Sequence, residues 1–375
     1  MQLGLNGDIL AGGHRFHVQT AYSASNDKII SHVFEQGRII TQREVSCHGQ
    51  LTEQPLSAKI KAVHQEMISE TELLFYIAEK VRQVKHVPSR LKLGLIFMGK
   101  ELIDDAVAMF QLALEADPNS VEAHSFLGNA HARRGEFAQA EERLRRSLAL
   151  APDYADSHYY LGAVLLEQGK LSEAMPVFEA ALKINPKFAQ AQTGLALSVL
   201  LTISAPDSVT ASLPPALRMK RAQDLLGSVV QNFPGHPQLQ QLRSAMELLE
   251  SKDHAAAAAE LLSLRRDTRF EPGFNFEHEF YLKFMYGGKS RDDEFIQQHL
   301  ERLHAAVQDY PEYPDLHNSL GIAYLIQCRN LFLRALDEFR AALKINPNFK
   351  RAEKNLKISE NDGKGFLILL RALLK

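Results

Sequence analysis

"FEAALKINPKF" occupies Phe178–Phe188, and "FRAALKINPNF" returns 161 positions later at Phe339–Phe349, with nine of eleven letters identical. A string this close at that distance marks a copied structural unit, so the period of the copy is the first thing to establish. Outward from the first copy, the pair Leu-Gly recurs at Leu93-Gly94, Leu127-Gly128 and Leu161-Gly162, 34 residues apart each time. Pro118, Pro152 and Pro186 keep the same step. Small residues fall between at fixed offsets, first Ala106, Ala140 and Ala174, then Ala113, Ser147 and Ala181. Phe110, Leu144 and Phe178 each follow four residues after the first small one.

Each letter has a physical reason. Two antiparallel helices meet closely only where side chains are small, and the large residue fills the remaining gap. Proline ends the second helix, and Gly135 and Gly169 lie where the pair must turn. Over 87–188 these residues match the tetratricopeptide repeat pattern, and the segment resembles three consecutive such repeats. The resemblance implies a mainly α fold, a right-handed superhelix (α-solenoid) of stacked hairpins.

Beyond Phe188 the phase loosens: from Pro186 the steps to Pro234, Pro272, Pro311 and Pro347 are 48, 38, 39 and 36. Seven hairpins are expected over 87–349, at 87–120, 121–154, 155–188, 189–236, 237–273, 274–313 and 314–349. The fourth carries an inserted loop, 203–216, and the fifth and sixth are degenerate. Leu320-Gly321, Tyr324, Ala335, Phe339 and Ala342 make the last a well-formed repeat with two extra residues in its turn.

The ends differ. Residues 1–52 form a small β-rich segment: alternation over 14–22 and two β-rich runs around Glu35-Gln36-Gly37 predict a three-stranded antiparallel meander. Its expected role is either a cap for the array or a pairing edge for a partner. Within the connecting region 53–86, Ile60, Val63, Met67, Leu74, Ile77, Val81 and Val84 fall on the a and d positions of heptads. "SETE" at Ser69–Glu72 reads as a capping box, which splits this stretch into two helices covering the first repeat. A dimerising coiled coil is the other reading of the stripe. Residues 350–375 read as a capping helix, broken at Asn361-Asp362-Gly363, and an apolar tail.

Composition narrows the function. Forty-three Lys and Arg against 45 Asp and Glu leave a net charge of −2, with no basic stripe for nucleic acid. The two cysteines, Cys47 and Cys328, lack metal or redox spacing. His14 and His17 lie three apart on a predicted strand and so face opposite ways. "MYGGKS" at Met285–Ser290 lacks the spacing of a phosphate loop. No cofactor or metal is implied, and a non-enzymatic, cytoplasmic protein is expected.

The resemblance implies that first helices line a concave groove. Carried over, the family's positions are Leu91, Lys92, Leu95 and Met98; Ser125, Phe126, Asn129 and Arg133; Tyr159, Tyr160, Ala163 and Glu167; Thr193, Leu197, Leu200 and Leu201; and Asn318, Ser319, Ile322 and Ile326. One subclass grips a C-terminal carboxylate with Lys, Arg and Asn, but Leu91, Leu95, Phe126, Asp156 and Tyr160 stand at those places. The expected ligand is therefore a protein partner's amphipathic helix or extended peptide, anchored on Phe126, Tyr159 and Tyr160. The expected function is a scaffold that organises a multiprotein complex. Two alternatives are a peripheral membrane assembly factor using the tail, and a homo-oligomeric structural protein associating through 57–85 or 364–375.

Overall fold

The computed structural model describes residues 4–47, 53–204, 214–233, 236, 238–266, 275–309, 311, 314–345, 347–348 and 350–373. Fifteen helices and a four-stranded sheet are formed among the described residues. They make two compact units, Met1–Thr71 with Val81–Gly273, and Glu72–Lys80 with Phe274–Lys375.

The first unit opens with an antiparallel meander of β1 (Gly4–Ala11), β2 (His14–Ser23), β3 (Lys28–Glu35) and β4 (Arg38–Ser46), in that order. One strand more than expected is present. β1 reads "GLNGDILA", two glycines without β-branched alternation, so its own propensity is weak and its order comes from pairing along its whole length with β2. Gly12 and Gly13 sit at φ 60° and 87°, the left-handed pair that a two-residue hairpin demands. Phe16, Val18, Ile29 and Val33 bury the inner face.

Helix α1 (Glu53–Gln83) is one continuous 31-residue helix, so the expected split at Ser69 does not occur. The Thr71 hydroxyl bonds back to the Met67 carbonyl one turn earlier in the same helix, at 2.8 Å. Leu56, Ile60 and Val63 pack with Ile29 and Cys47 of the sheet region. Their first cover is thus β-structure, where the sequence pointed to the first repeat. Polar ties fix the same register: Thr20 to His64 at 3.0 Å, and Arg43 to Glu66 and Glu70 at 2.7 Å each.

Three hairpins follow: α2 (Val87–Gly99) with α3 (Ile103–Ala116), α4 (Val121–Arg133) with α5 (Phe137–Leu150), and α6 (Ala155–Glu167) with α7 (Leu171–Ile184). The Leu-Gly signature now has a distance. A Cβ on Gly128 would fall 2.6 Å from Leu144, and one on Gly162 would fall 2.8 Å from Phe178. Gly94 meets Phe110 in the same way. The side chain at the fourth position of α4 and of α6 also ties back to the preceding proline carbonyl. His124 reaches Pro118 O at 3.0 Å and His158 reaches Pro152 O at 2.8 Å. A carbonyl only accepts, so each imidazole donates through Nε2. Gly135 turns at φ +76° with open space around it. Gly135→Ala is therefore expected to cost ~1 kcal/mol through backbone strain alone, read as a shift in urea midpoint with an unchanged slope.

The next two hairpins are α8 (Ala189–Ser204) with α9 (Pro215–Asn232), and α10 (Leu239–Glu250) with α11 (His254–Arg266). Most of the predicted 203–216 insertion lies outside the described residues. In the regular part, first helices stack in sequence, α2 on α4, α4 on α6 and α6 on α8. At α8 the order changes, because α11 packs against it. The alanine run of α11 permits that approach, with Ala257 and Ala258 buried in the same core as Leu197 and Leu200.

The second unit contains α12 (Asn275–Tyr286), α13 (Asp293–Asp309), α14 (Pro314–Ile345) and α15 (Lys350–Leu373). Phe280, Phe284, Ile296, Leu300, Leu303 and Leu316 form its core. Two expectations fail here. The predicted hairpin at 314–349 is a single 32-residue helix up to Ile345, and α15 runs unbroken through Asn361-Asp362-Gly363. Gly135, Gly169 and Gly288 provide positive φ at other turns, whereas α14 has only Cys328-Arg329-Asn330 at its midpoint. Asn330 is buried in the helix and bonds Asp293 at 3.3 Å, so no residue is left to turn the chain.

Candidate functional site

In the first unit the predicted groove residues lie on α2, α4, α6 and α8, which stack side by side. Leu91, Lys92 and Leu95 on α2 are half-buried, while Met98 is buried. On α4, Phe126, Asn129 and Arg133 are half-buried and Ser125 is buried. Tyr159, Tyr160 and Ala163 on α6 are half-buried, and Glu167 is exposed. Asn318, Ser319, Ile322 and Ile326 belong to the second unit, where Asn318 is exposed, Ser319 and Ile322 are half-buried and Ile326 is buried.

Leu197 and Leu200 do not line a groove. Both are fully buried, because α8 is covered nearly all round and α11 lies against it. Thr193 and Leu201 remain half-buried on the same helix.

Several expected ligand anchors already have structural work. Phe126 packs its ring 5.8 Å from Phe110, joining neighbouring hairpins. Tyr159 stands 5.2 Å from Phe188, 5.3 Å from Tyr160 and 6.3 Å from Phe178, centroid to centroid. Arg133 donates to the Met98 carbonyl at 3.1 Å and pairs with Glu101. A guanidinium on the last carbonyls of α2 complements that helix's C-terminal dipole. Its charge therefore serves to join the first two repeats.

The sequence reading missed a polar cluster between the sheet and the α2–α3 hairpin. His14 on β2 bonds Glu35 through Nδ1 and stands 2.9 Å from Asp105 Oδ2 through Nε2. Arg82 approaches the other Asp105 oxygen at 3.6 Å. Burial pushes the Asp105 carboxyl up from its usual range, and the charges of His14 and Arg82 pull against that shift. Lys100 adds a bond to Thr41 at 2.9 Å. The sheet is thus tied to the α2–α3 hairpin. No local signal marks the cluster, since His14, Arg82 and Asp105 are far apart in sequence and each reads as a surface residue.

Stacked two-helix units with a glycine-to-large-residue joint define the class of protein, a helical-repeat array. A profile of the tetratricopeptide repeat matches residues 91–140 and 127–189, so this segment of the chain carries tetratricopeptide repeats. Solved structures similar to it include MamA, at 25% identity over 43% of this chain and 91% of that one, with TM-score 0.36. A thermophilic tetratricopeptide-repeat protein of Thermus thermophilus is 19% identical over 64% of this chain and 100% of its own, with TM-score 0.34. A mutant of the Thermobaculum terrenum O-GlcNAc transferase is 24% identical over 39% of this chain, with TM-score 0.35, and this chain spans only 26% of it. Among curated proteins none matches. No described helix is long and apolar enough to cross a membrane.

Proposed function

We propose that the chain is a non-enzymatic scaffold whose α2–α4–α6 face takes an amphipathic helix or extended segment of a protein partner. The tetratricopeptide repeats support the broad role of a protein–protein interaction module. The observation that carries the finer reading is the contrast along the stacked first helices. Leu91, Leu95, Tyr160 and Ala163 are only half-buried, whereas the same helices bury Leu93, Leu127 and Leu161 completely or nearly so. An apolar strip with Lys92 and Asn129 beside it suits one face of an amphipathic helix.

Screening the full chain against helical amphipathic peptides tests this. Tyr160→Ala combined with Asn129→Ala should weaken the best binder roughly tenfold, the scale of losing one good anchor, with the helical dichroism unchanged. Equal affinity for the variant and the parent would remove the face from consideration. Tyr159 is left intact in this test because its ring contacts Phe178 and Phe188.

A further inference from the structure

The last repeat keeps its signature letters without the contact those letters make elsewhere. In the regular hairpins sixteen residues separate Gly94 from Phe110, Gly128 from Leu144 and Gly162 from Phe178, and each glycine touches its large partner. Eighteen separate Gly321 from Phe339, and nothing lies within 4 Å of where a Gly321 Cβ would be. Both residues are on one straight helix, so ~27 Å of helical rise divides them. The outer neighbours of a repeat are still in place, since α13 packs on α14 and α15 packs on α14. Only the joint within the repeat is missing.

What α14 presents instead is a seam. Gly321, Leu325, Cys328, Phe332, Ala335 and Phe339 follow a strict four-three spacing, the a and d pattern of a coiled coil. None of the six is buried: Gly321, Cys328 and Ala335 are exposed, Phe332 and Phe339 are half-buried, and Leu325 is half-buried with part of its side chain against the core of the unit. Beside them Tyr324, Leu331 and Ile345 recur every seven or fourteen residues and are 46%, 60% and 87% exposed. The order along the seam is small, large, small, large, small, large. It is self-complementary about Asn330, because Gly321 and Phe339, Leu325 and Ala335, and Cys328 and Phe332 are each equidistant from it. A helix running antiparallel with the same sequence puts a large residue opposite every small one. A parallel copy would set Gly321 against Gly321 and Phe339 against Phe339.

We propose that this repeat closes in trans, with two copies of the chain packing antiparallel along α14 about Asn330, so that each Gly321 receives the partner's Phe339. The contact is isologous, and every pair forms twice. The missing turn residue accounts for why the joint opens into a straight helix, and exchanging a joint between copies is a low-cost route to a dimer.

The test uses the full chain with Cys328→Ser, Leu325→Cys and Ala335→Cys. Antiparallel pairing expects oxidation to give a covalent dimer on a non-reducing gel. A hairpin closing within one chain would give an internal disulfide at monomer mass and overturn the proposal. Light scattering of the parent chain should report a dimer. Ala335 is exposed, so Ala335→Glu should leave helical dichroism intact. It should raise the dimer dissociation constant at least ~tenfold by setting a carboxylate against the partner's Leu325. A dimer unmoved by Ala335→Glu, or a parent monomeric at every concentration, would equally sink it.

Discussion

Phe178→Ala is expected to lower the stability of the first unit by about 3–5 kcal/mol, the range for emptying a packed aromatic site. Phe178 is fully buried, and two glycines on different first helices make room for its ring. Ideal Cβ atoms on Gly162 and on Gly194 would each lie 2.8 Å from it. The ring thus joins α7 to both α6 and α8, and its loss opens two helix–helix joints at once. Backbone crowding by neighbouring helices leaves little room for collapse, so the cavity persists. Because each repeat contacts only its neighbours, the damage should concentrate in α6–α9. Hydrogen exchange should show faster opening there and little change in α2–α3. Urea denaturation gives the size of the loss, and a cost under ~1 kcal/mol would mean that the ring is not held between the glycines. Gly162→Ala approaches the same joint from the other side. It should cost ~1–3 kcal/mol by overpacking.

The joint illustrates which parts of this molecule were legible in its letters. Leu161-Gly162 and Phe178 interact across one short turn, so their spacing records the contact directly. The same holds for Gly135 and Gly169, whose φ values follow from the hairpin they close. Longer-range choices left no comparable mark. β1 is ordered by its pairing with β2, and its own composition argues against a strand. Ser69 carries the letters of a cap, yet the helix around it continues, with Met67 before it and Phe75 after it both buried. The groove position of Leu197 followed from its phase in the repeat. Its burial followed from α11, whose approach to α8 depends on a degenerate hairpin sixty residues downstream. The same limit applies to α14. There the repeat letters are present, and the absent turn residue decides how they are used.

Acidification should destabilise the second unit through His299. This residue is 7% exposed, and its ring lies flat on Phe280 with centroids 3.6 Å apart and planes 3° from parallel. Phe276 stands 5.8 Å away on the same imidazole. Burial holds the imidazole pKa down at about 4, with the charge of Arg302 adding to the effect. An exposed imidazole in the unfolded chain titrates near ~6.5. Between those two values the unfolded chain binds a proton that the native state refuses. Stability is therefore complete above ~6.5 and falls as the pH drops toward 4. The gap corresponds to about 3 kcal/mol at most. Carboxylates elsewhere add their own acid sensitivity, so the measurement is a comparison. His299→Phe keeps a flat ring on Phe280 and removes the titration. Urea midpoints at pH 7.5 and pH 4.5 should fall further for the parent than for the variant, with the difference confined to the transition of the second unit. Parallel pH profiles for the two proteins would show that His299 accepts its proton without cost, and that the aromatic cluster opens to water more readily than its packing implies.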